Sequence, residues 1–286
     1  MRRLLIFFTA VCASAACWGQ SFDIQVPTAV VAGSPATVAT TGNGKATFYL
    51  VGPGVSRTED VELGKEIQLR PEYLQNAGAY LSIVCSDVCQ HAIFYVNAAT
   101  PASLTLLVHP SRVPVSQGDA VSGVAFPFDS FHNLVLTSVA VEFQLSERNT
   151  SLSSRAVRTV NGIAWFRTSS GKSAGALQVN ATLDNLAARR VVQQVASDPC
   201  NLRIEGQRTL LGMLVQTDPV HDCAGNPIPD GTVVTFTATE ANGKSTVDAP
   251  IKQGIARAQI AASGGAVISV ASGVVMGNEI RVGARP

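Results

Sequence analysis

The residues best equipped for chemistry in this chain are Cys85, Cys89 and His91, spaced C-x-x-x-C-x-H. Two thiolates and an imidazole suit Cu(I) or Zn(II), and on a strand Cys89 and His91 share one face. No fourth ligand is evident. The two cysteines also flank Ser86-Asp87-Val88, a three-residue turn between strand-like runs at 80–84 and 91–96. Residues facing each other across a hairpin stand at about the Cβ separation a disulfide needs. A hairpin disulfide is therefore expected, so no metal is favoured. A periplasmic metal (copper) or redox carrier built on Cys85, Cys89 and His91 is one alternative, and a carbohydrate-binding module, whose usual exposed Trp/Tyr platform is not evident in the sequence, is another.

Other chemical candidates are weaker. Gly171-Lys172-Ser173 and Gly243-Lys244-Ser245 look like the end of a phosphate-binding loop, but the glycine required five residues earlier is Phe166 in one and Ala238 in the other. No helical pattern follows, so both read as polar turns. His109, His132 and His221 are scattered over loops and strand ends, and no H-E-x-x-H, G-x-S-x-G or paired-carboxylate arrangement occurs. The expectation is a protein that is not an enzyme and needs no cofactor.

The elements that would hold these residues are strands. With 286 residues, 46% hydrophobic and 14% charged, and 24 glycines and 14 prolines, the chain has the length of two or three domains and no sustained helical period. Net charge is +1, and no basic stripe interleaved with aromatics is present, so nucleic acid is not an expected partner. Arg2 and Arg3 precede an apolar run over 4–13, and Ala13-Ser14-Ala15 supplies a small-residue cleavage site. This is the pattern of a secretory signal peptide over 1–20. The run is too short to span a bilayer, and no transmembrane segment is expected after its removal. The protein is thus expected to be secreted, periplasmic or on the cell surface. A variant reading lipidates Cys17, although the branched residue usual three positions earlier is Ser14.

Cys12 and Cys17 leave with the leader, and Cys85, Cys89, Cys200 and Cys223 remain, an even number in an oxidising compartment. Three pairings are open, and local geometry favours Cys85–Cys89 and Cys200–Cys223. The second would close an interval of about 24 residues, for which loop-closure entropy predicts about 3 kcal/mol.

The most informative stretch is 222–239, D-C-A-G-N-P-I-P-D-G-T-V-V-T-F-T-A-T. Asn226-Pro227 and Asp230-Gly231 are turn dipeptides. Val234, Phe236 and Ala238 then alternate with Thr235, Thr237 and Thr239, the pattern of a half-buried strand. Ninety-three positions earlier, Asp129, Asn133, Val141 and Phe143 fall on Asp222, Asn226, Val234 and Phe236. Gly162-Ile163-Ala164 matches Gly254-Ile255-Ala256 at a shift of 92, and Gly175-Ala176-Leu177 matches Gly265-Ala266-Val267 at a shift of 90. Ordered matches with a drifting offset predict repeated domains with loops of variable length.

The stretch from Asp222, followed by P-I-K-Q-G-I-A-R-A-Q-I, resembles the bacterial immunoglobulin-like domain of the invasin/intimin type (group 1). The match is good over 202–282 and partial over 103–195, where His132 replaces the glycine and Leu134 and Leu136 replace both prolines. The resemblance implies tandem Ig-like β-sandwiches of the kind that form stalk segments of surface adhesins. A motif of this kind marks a fold and not an activity.

The resulting expectation is an all-β protein with a leader at 1–20 and Ig-like sandwiches at 21–99, 100–197 and 198–286. Linkers at 100–102 and 197–199 are too short for flexible tethers, which predicts an end-to-end rod. Asn76-Ala77-Gly78-Ala79-Tyr80 reads as a tyrosine corner, with Ser82 where such folds carry a cysteine. The uncharged run 261–277 reads as two buried strands, and Trp165, between Ala164 and Phe166, reads as core. Phe126, Phe128 and Phe131 are more aromatics than one strand face can bury. They form the candidate contact for a protein or glycan partner.

Overall fold

The computed structural model describes residues 21–148 and 150–283. The leader and Cys17 lie outside them. Among the described residues, every regular element apart from one 3-10 turn at Pro71–Tyr73 is a strand. No helix among the described residues is long and apolar enough to cross a membrane. The chain divides into two compact units. The first takes the described residues up to Thr100 together with Asp129–Val135, and the second takes Pro101–Phe128 and everything from Leu136 onward.

In the first unit, a three-stranded sheet (Ile24–Gln25, Ala36–Thr40, Glu66–Leu69) faces a five-stranded one. The larger sheet runs Ala29–Val31, Cys89–Asn97, Gly78–Cys85, Lys45–Gly52, Val55–Glu62. Strand parity decides what is inside. Phe48 and Leu50 point into the core while Tyr49 and Val51 point out, as a period of two requires. Tyr80 and Phe94 stack in that core with centroids 5.4 Å apart. The Tyr80 hydroxyl donates to the Asn76 carbonyl at 2.9 Å, which is the expected corner. Gly52 is what makes room for it, since a Cβ there would meet the Tyr80 ring.

Ser82 is fully buried and its hydroxyl has no hydrogen-bond partner. A buried hydroxyl without a partner carries its desolvation cost uncompensated. Ser82→Ala is therefore expected to raise the unfolding free energy by about 1 kcal/mol, read as an upward shift of the urea midpoint at unchanged slope.

The second unit contains two separate apolar cores. Around the first, a five-stranded sheet (Arg112–Pro114, Leu186–Val195, Gly175–Leu183, Ala140–Glu147, Thr150–Arg158) covers a three-stranded one (Ala164–Thr168, Val121–Phe128, Ser103–His109). Val141, Phe143 and Leu145 are buried there as the alternation requires. Phe143 meets Phe166 at 4.6 Å between centroids, in space left by Gly123, where a Cβ would strike the Phe166 ring. Around the second core, the strands from Ile204–Thr209 to Val275–Arg281 form one hydrogen-bonded run of seven. It bends at Gly243–Lys252, which pairs with Val233–Glu240 along most of its length and with Ile255–Ile260 at its last two residues. Val234, Phe236 and Ala238 are fully buried. These layered, mainly antiparallel sheets, in which Ala29–Val31 and Arg112–Pro114 add as parallel edge strands, are tandem Ig-like β-sandwiches.

Two expectations are corrected. Trp165 is 64% exposed, because Ala164 and Phe166 take the inward parity on that strand. Of the run 261–277, only Val267–Ser272 buries a face; Val274 and Met276 are exposed at and after the turn into the edge strand. Absence of charge there reflects small and apolar residues in a hairpin, not double-sided burial.

Candidate functional site

The repeated Asp and Asn of the two related stretches turn out to share one hydrogen-bonding task. Each pair closes a tight loop. The Asp222 amide donates to the Asn226 carbonyl at 2.9 Å, and the Asp129 amide to the Asn133 carbonyl at 3.0 Å. Gly225 takes a positive φ of 85° in one loop, and His132 takes 66° at the matching position of the other. The glycine is thus a conformational requirement that His132 meets with some strain, His being among the side chains that tolerate this region.

Within the loop the carboxylate collects donors. One Asp222 oxygen, Oδ1, accepts from the amides of Ala224 (2.9 Å) and Asn226 (2.8 Å). Oδ2 accepts from the Ser197 amide at 3.1 Å, and both oxygens receive the Asn226 side-chain amide, at 3.2 and 3.0 Å. Asp129 does the same. It accepts from the amides of Phe131 (2.9 Å) and Asn133 (2.8 Å), from the Asn133 side chain (2.9 Å) and from the Ala99 amide (2.9 Å). Both carboxylates are buried. Burial raises the pKa of each, but the hydrogen bonds outweigh it and hold both below the ordinary carboxylate range.

The asparagine then reaches outward. Asn226 donates to the Lys172 carbonyl at 2.9 Å and accepts from the Ala174 amide at 2.8 Å. Inside the first unit, Asn133 donates to the Gln75 carbonyl at 2.7 Å and accepts from the Ala77 amide at 2.8 Å. In each case the amide reads a C=O and an N–H two residues apart, just before a strand begins. Such recognition uses backbone alone and places no demand on the side chains of the receiving loop.

The receiving loop at 171–174 is itself braced. Fully buried Gln194 accepts from the Gly171 amide and donates to the Ser173 carbonyl and to Glu147. Ser170 donates to the Pro114 carbonyl at 2.8 Å and accepts from the Gln117 amide at 2.9 Å. On the other side, the Cys200–Cys223 disulfide ties the strand Pro199–Cys200 to His221–Asp222, next to the carboxylate. The second clamp therefore joins the two cores of the second unit through an asparagine, a carboxylate and a covalent staple. The Asp222 carboxylate, the Asn226 amide and both sulfurs are each engaged in these bonds.

The other residues singled out from sequence fall as follows. Cys85 and Cys89 face each other in register and are disulfide-bonded, so both sulfurs are taken and His91 stands alone on its strand opposite Ile83. Phe126 and Phe128 lie on one outward strand face, half-buried, while Phe131 packs against the core of the first unit beside Gly33. Phe131 thus belongs to the first unit, and Phe126 and Phe128 belong to the second. No group of three or more His, Cys, Asp or Glu among the described residues is placed to hold a metal ion. The clamp itself was hidden in plain sequence: Asp and Asn at that spacing read as turn formers, and the only signal of a further role was their recurrence.

No family model matches the chain, and no curated protein does. Solved structures do. FdeC, an Escherichia coli adhesin, is similar at 15% identity over 93% of this chain and 97% of that one, with a TM-score of 0.62. Invasin, a bacterial integrin-binding protein, is similar at 12% identity over 92% of this chain and 60% of that one, with a TM-score of 0.50. At such identities the likeness speaks for fold. This chain has the invasin/intimin-type fold of bacterial immunoglobulin-like domains.

Proposed function

We propose that this protein is a non-catalytic, exported adhesion or spacer module whose partner is a protein or a glycan, acting at the cell surface or in the periplasm. The reading treats it as three sandwiches, 21–99, 100–197 and 198–286. The observation that carries it is the duplicated clamp, in which buried Asp and half-buried Asn side chains hold loops and linkers in place. An enzyme concentrates such costly polar burial around a reacting centre. A spacer or adhesion module instead places it in the loops that flank its short linkers. The oxidised Cys85–Cys89 and Cys200–Cys223 pairs fit export.

Asn226→Ala tests this. The substitution removes both bonds to the 172–174 loop but leaves Asp222 with its backbone donors. Limited proteolysis of the variant is expected to cut at 196–199 about thirtyfold faster than wild type, because local opening governs cleavage and two hydrogen bonds of about 1 kcal/mol each are lost. Cleavage at the wild-type rate would remove the clamp from the account.

A further inference from the structure

The sheet formed by Ser103–His109, Val121–Phe128 and Ala164–Thr168 has a complete inner face, with Leu106, Val121, Ala125, Ala164 and Phe166 in the core. Its outer face is unusual. Trp165, Val124 and Leu107 sit in one cross-strand row, with Trp165 64% and Leu107 55% exposed. Phe126 extends the apolar area one row further, on the same strand parity. On the other side the next row is Arg167, Ser122 and His109. No Asp or Glu has the outward parity on any of the three strands. The salt bridges among the described residues are Lys65–Glu62 and Arg70–Glu72, so Arg167 has no carboxylate partner there.

We propose that this face binds an acidic saccharide, with a sugar ring laid on Trp165 and its carboxylate taken by Arg167. The charge pattern selects the ligand: an aromatic floor bordered by a guanidinium and an imidazole, with no anion on the face, complements a ring that is apolar on one side and negative at one end. Trp165 and Arg167 are two residues apart on one strand, about 7 Å along it, which places the guanidinium within reach of a carboxylate on a ring stacked over the indole. An exposed indole is a rigid surface with little entropy to lose on contact. Arg forms a bidentate pair with a carboxylate, which a neutral sugar cannot offer. The proposal rests on the adhesion reading and supplies its ligand class and site.

The test uses the full chain in affinity electrophoresis through gels containing polygalacturonate, alginate or polysialic acid, with fully methyl-esterified pectin as the uncharged counterpart. Wild type is expected to be retarded by at least one acidic polymer and not by the ester, and more weakly as salt rises. Trp165→Ala should weaken retention about tenfold or more, while Arg167→Gln should bind the acidic and esterified polymers alike. Ile93→Ser, on an exposed apolar strand position of the first unit, should behave as wild type. Because Trp165 lies outside the core, unfolding midpoints of all three variants should match wild type. The proposal is overturned if no acidic polymer retards the protein, if Trp165→Ala binds as well as wild type, or if ester and acid bind equally to wild type. It also falls if sedimentation shows self-association lost in Trp165→Ala with no saccharide bound, since the face would then be a contact between copies. None of these outcomes alters the proteolysis of Asn226→Ala, so the two readings fail separately.

Discussion

Asp222→Ala is expected to lower the unfolding free energy of the second unit by about 3–4 kcal/mol, one of the largest single-site effects in the chain. The carboxylate accepts from three backbone amides and from the Asn226 side chain. Hydrogen bonds to a charged acceptor contribute about 1.5–3 kcal/mol each, and donors left buried without an acceptor cost about 1–3 kcal/mol. The sum overshoots because the loop relaxes and water enters, hence the smaller figure. The same residue predicts a pH dependence with a definite sign. The folded-state pKa values of Asp222 and Asp129 lie below their unfolded values, so the unfolded chain binds more protons through the acid range. Their stabilisation is complete well above an unfolded pKa of about 3.9. It is lost as pH falls through the folded pKa. Urea midpoints for wild type should hold between neutrality and about pH 5 and fall below about pH 4, whereas Asp129→Ala/Asp222→Ala should show a much flatter acid limb. An equally steep limb in the double variant would mean that other carboxylates govern acid unfolding.

Replacing Cys200 and Cys223 together by serine is expected to cost about 3 kcal/mol, against about 2 kcal/mol for the Cys85 and Cys89 pair. The difference follows from loop closure: the bonds span 23 and 4 residues, and the entropy removed from the unfolded chain grows with the logarithm of the span. The longer bridge also sits beside Asp222, with Cys200 facing His221 in the short ladder that carries the Asp222 loop. Its loss should therefore couple to Asp222→Ala. Neighbours sharing one loop do not add, so the triple variant should lose less than the separate losses combined. Denaturant unfolding of the four proteins measures this, and strict additivity would mean that staple and carboxylate hold different things.

Much of the fold was legible because it is written in parity. Val234, Phe236 and Ala238 alternate with threonines, and any pleated strand carrying that pattern must turn one face inward. Cys85 and Cys89 were equally readable, since a three-residue turn between two strands leaves little choice of partner. Trp165 shows where such reading stops. It has the neighbours of a core residue, but parity assigns Ala164 and Phe166 to the inside, and an aromatic between them has only the outside left. Sequence context suggested burial because it averages over both faces. Phe131 fails in the same way: it is close to Phe126 and Phe128 along the chain, but a reversing loop carries it to another core.

Strand pattern, turn chemistry and cysteine spacing are local properties, and they sufficed for an all-β chain with two short-range disulfides, while the Ig-like sandwich was what the resemblance of the stretch from Asp222 implied. Which groups meet across loops is not local. That Asn226 would find Lys172 and Ala174, 54 and 52 positions away, depended on where two turns were delivered by separate sheets. The same delivery put Trp165 and Leu107 in one row although 58 residues of sequence separate them. Folding free energy depends on burial and paired backbone wherever they occur, so partners at long range are chosen by the packed whole and leave only faint marks, such as a recurring Asp and Asn, in the order of the residues.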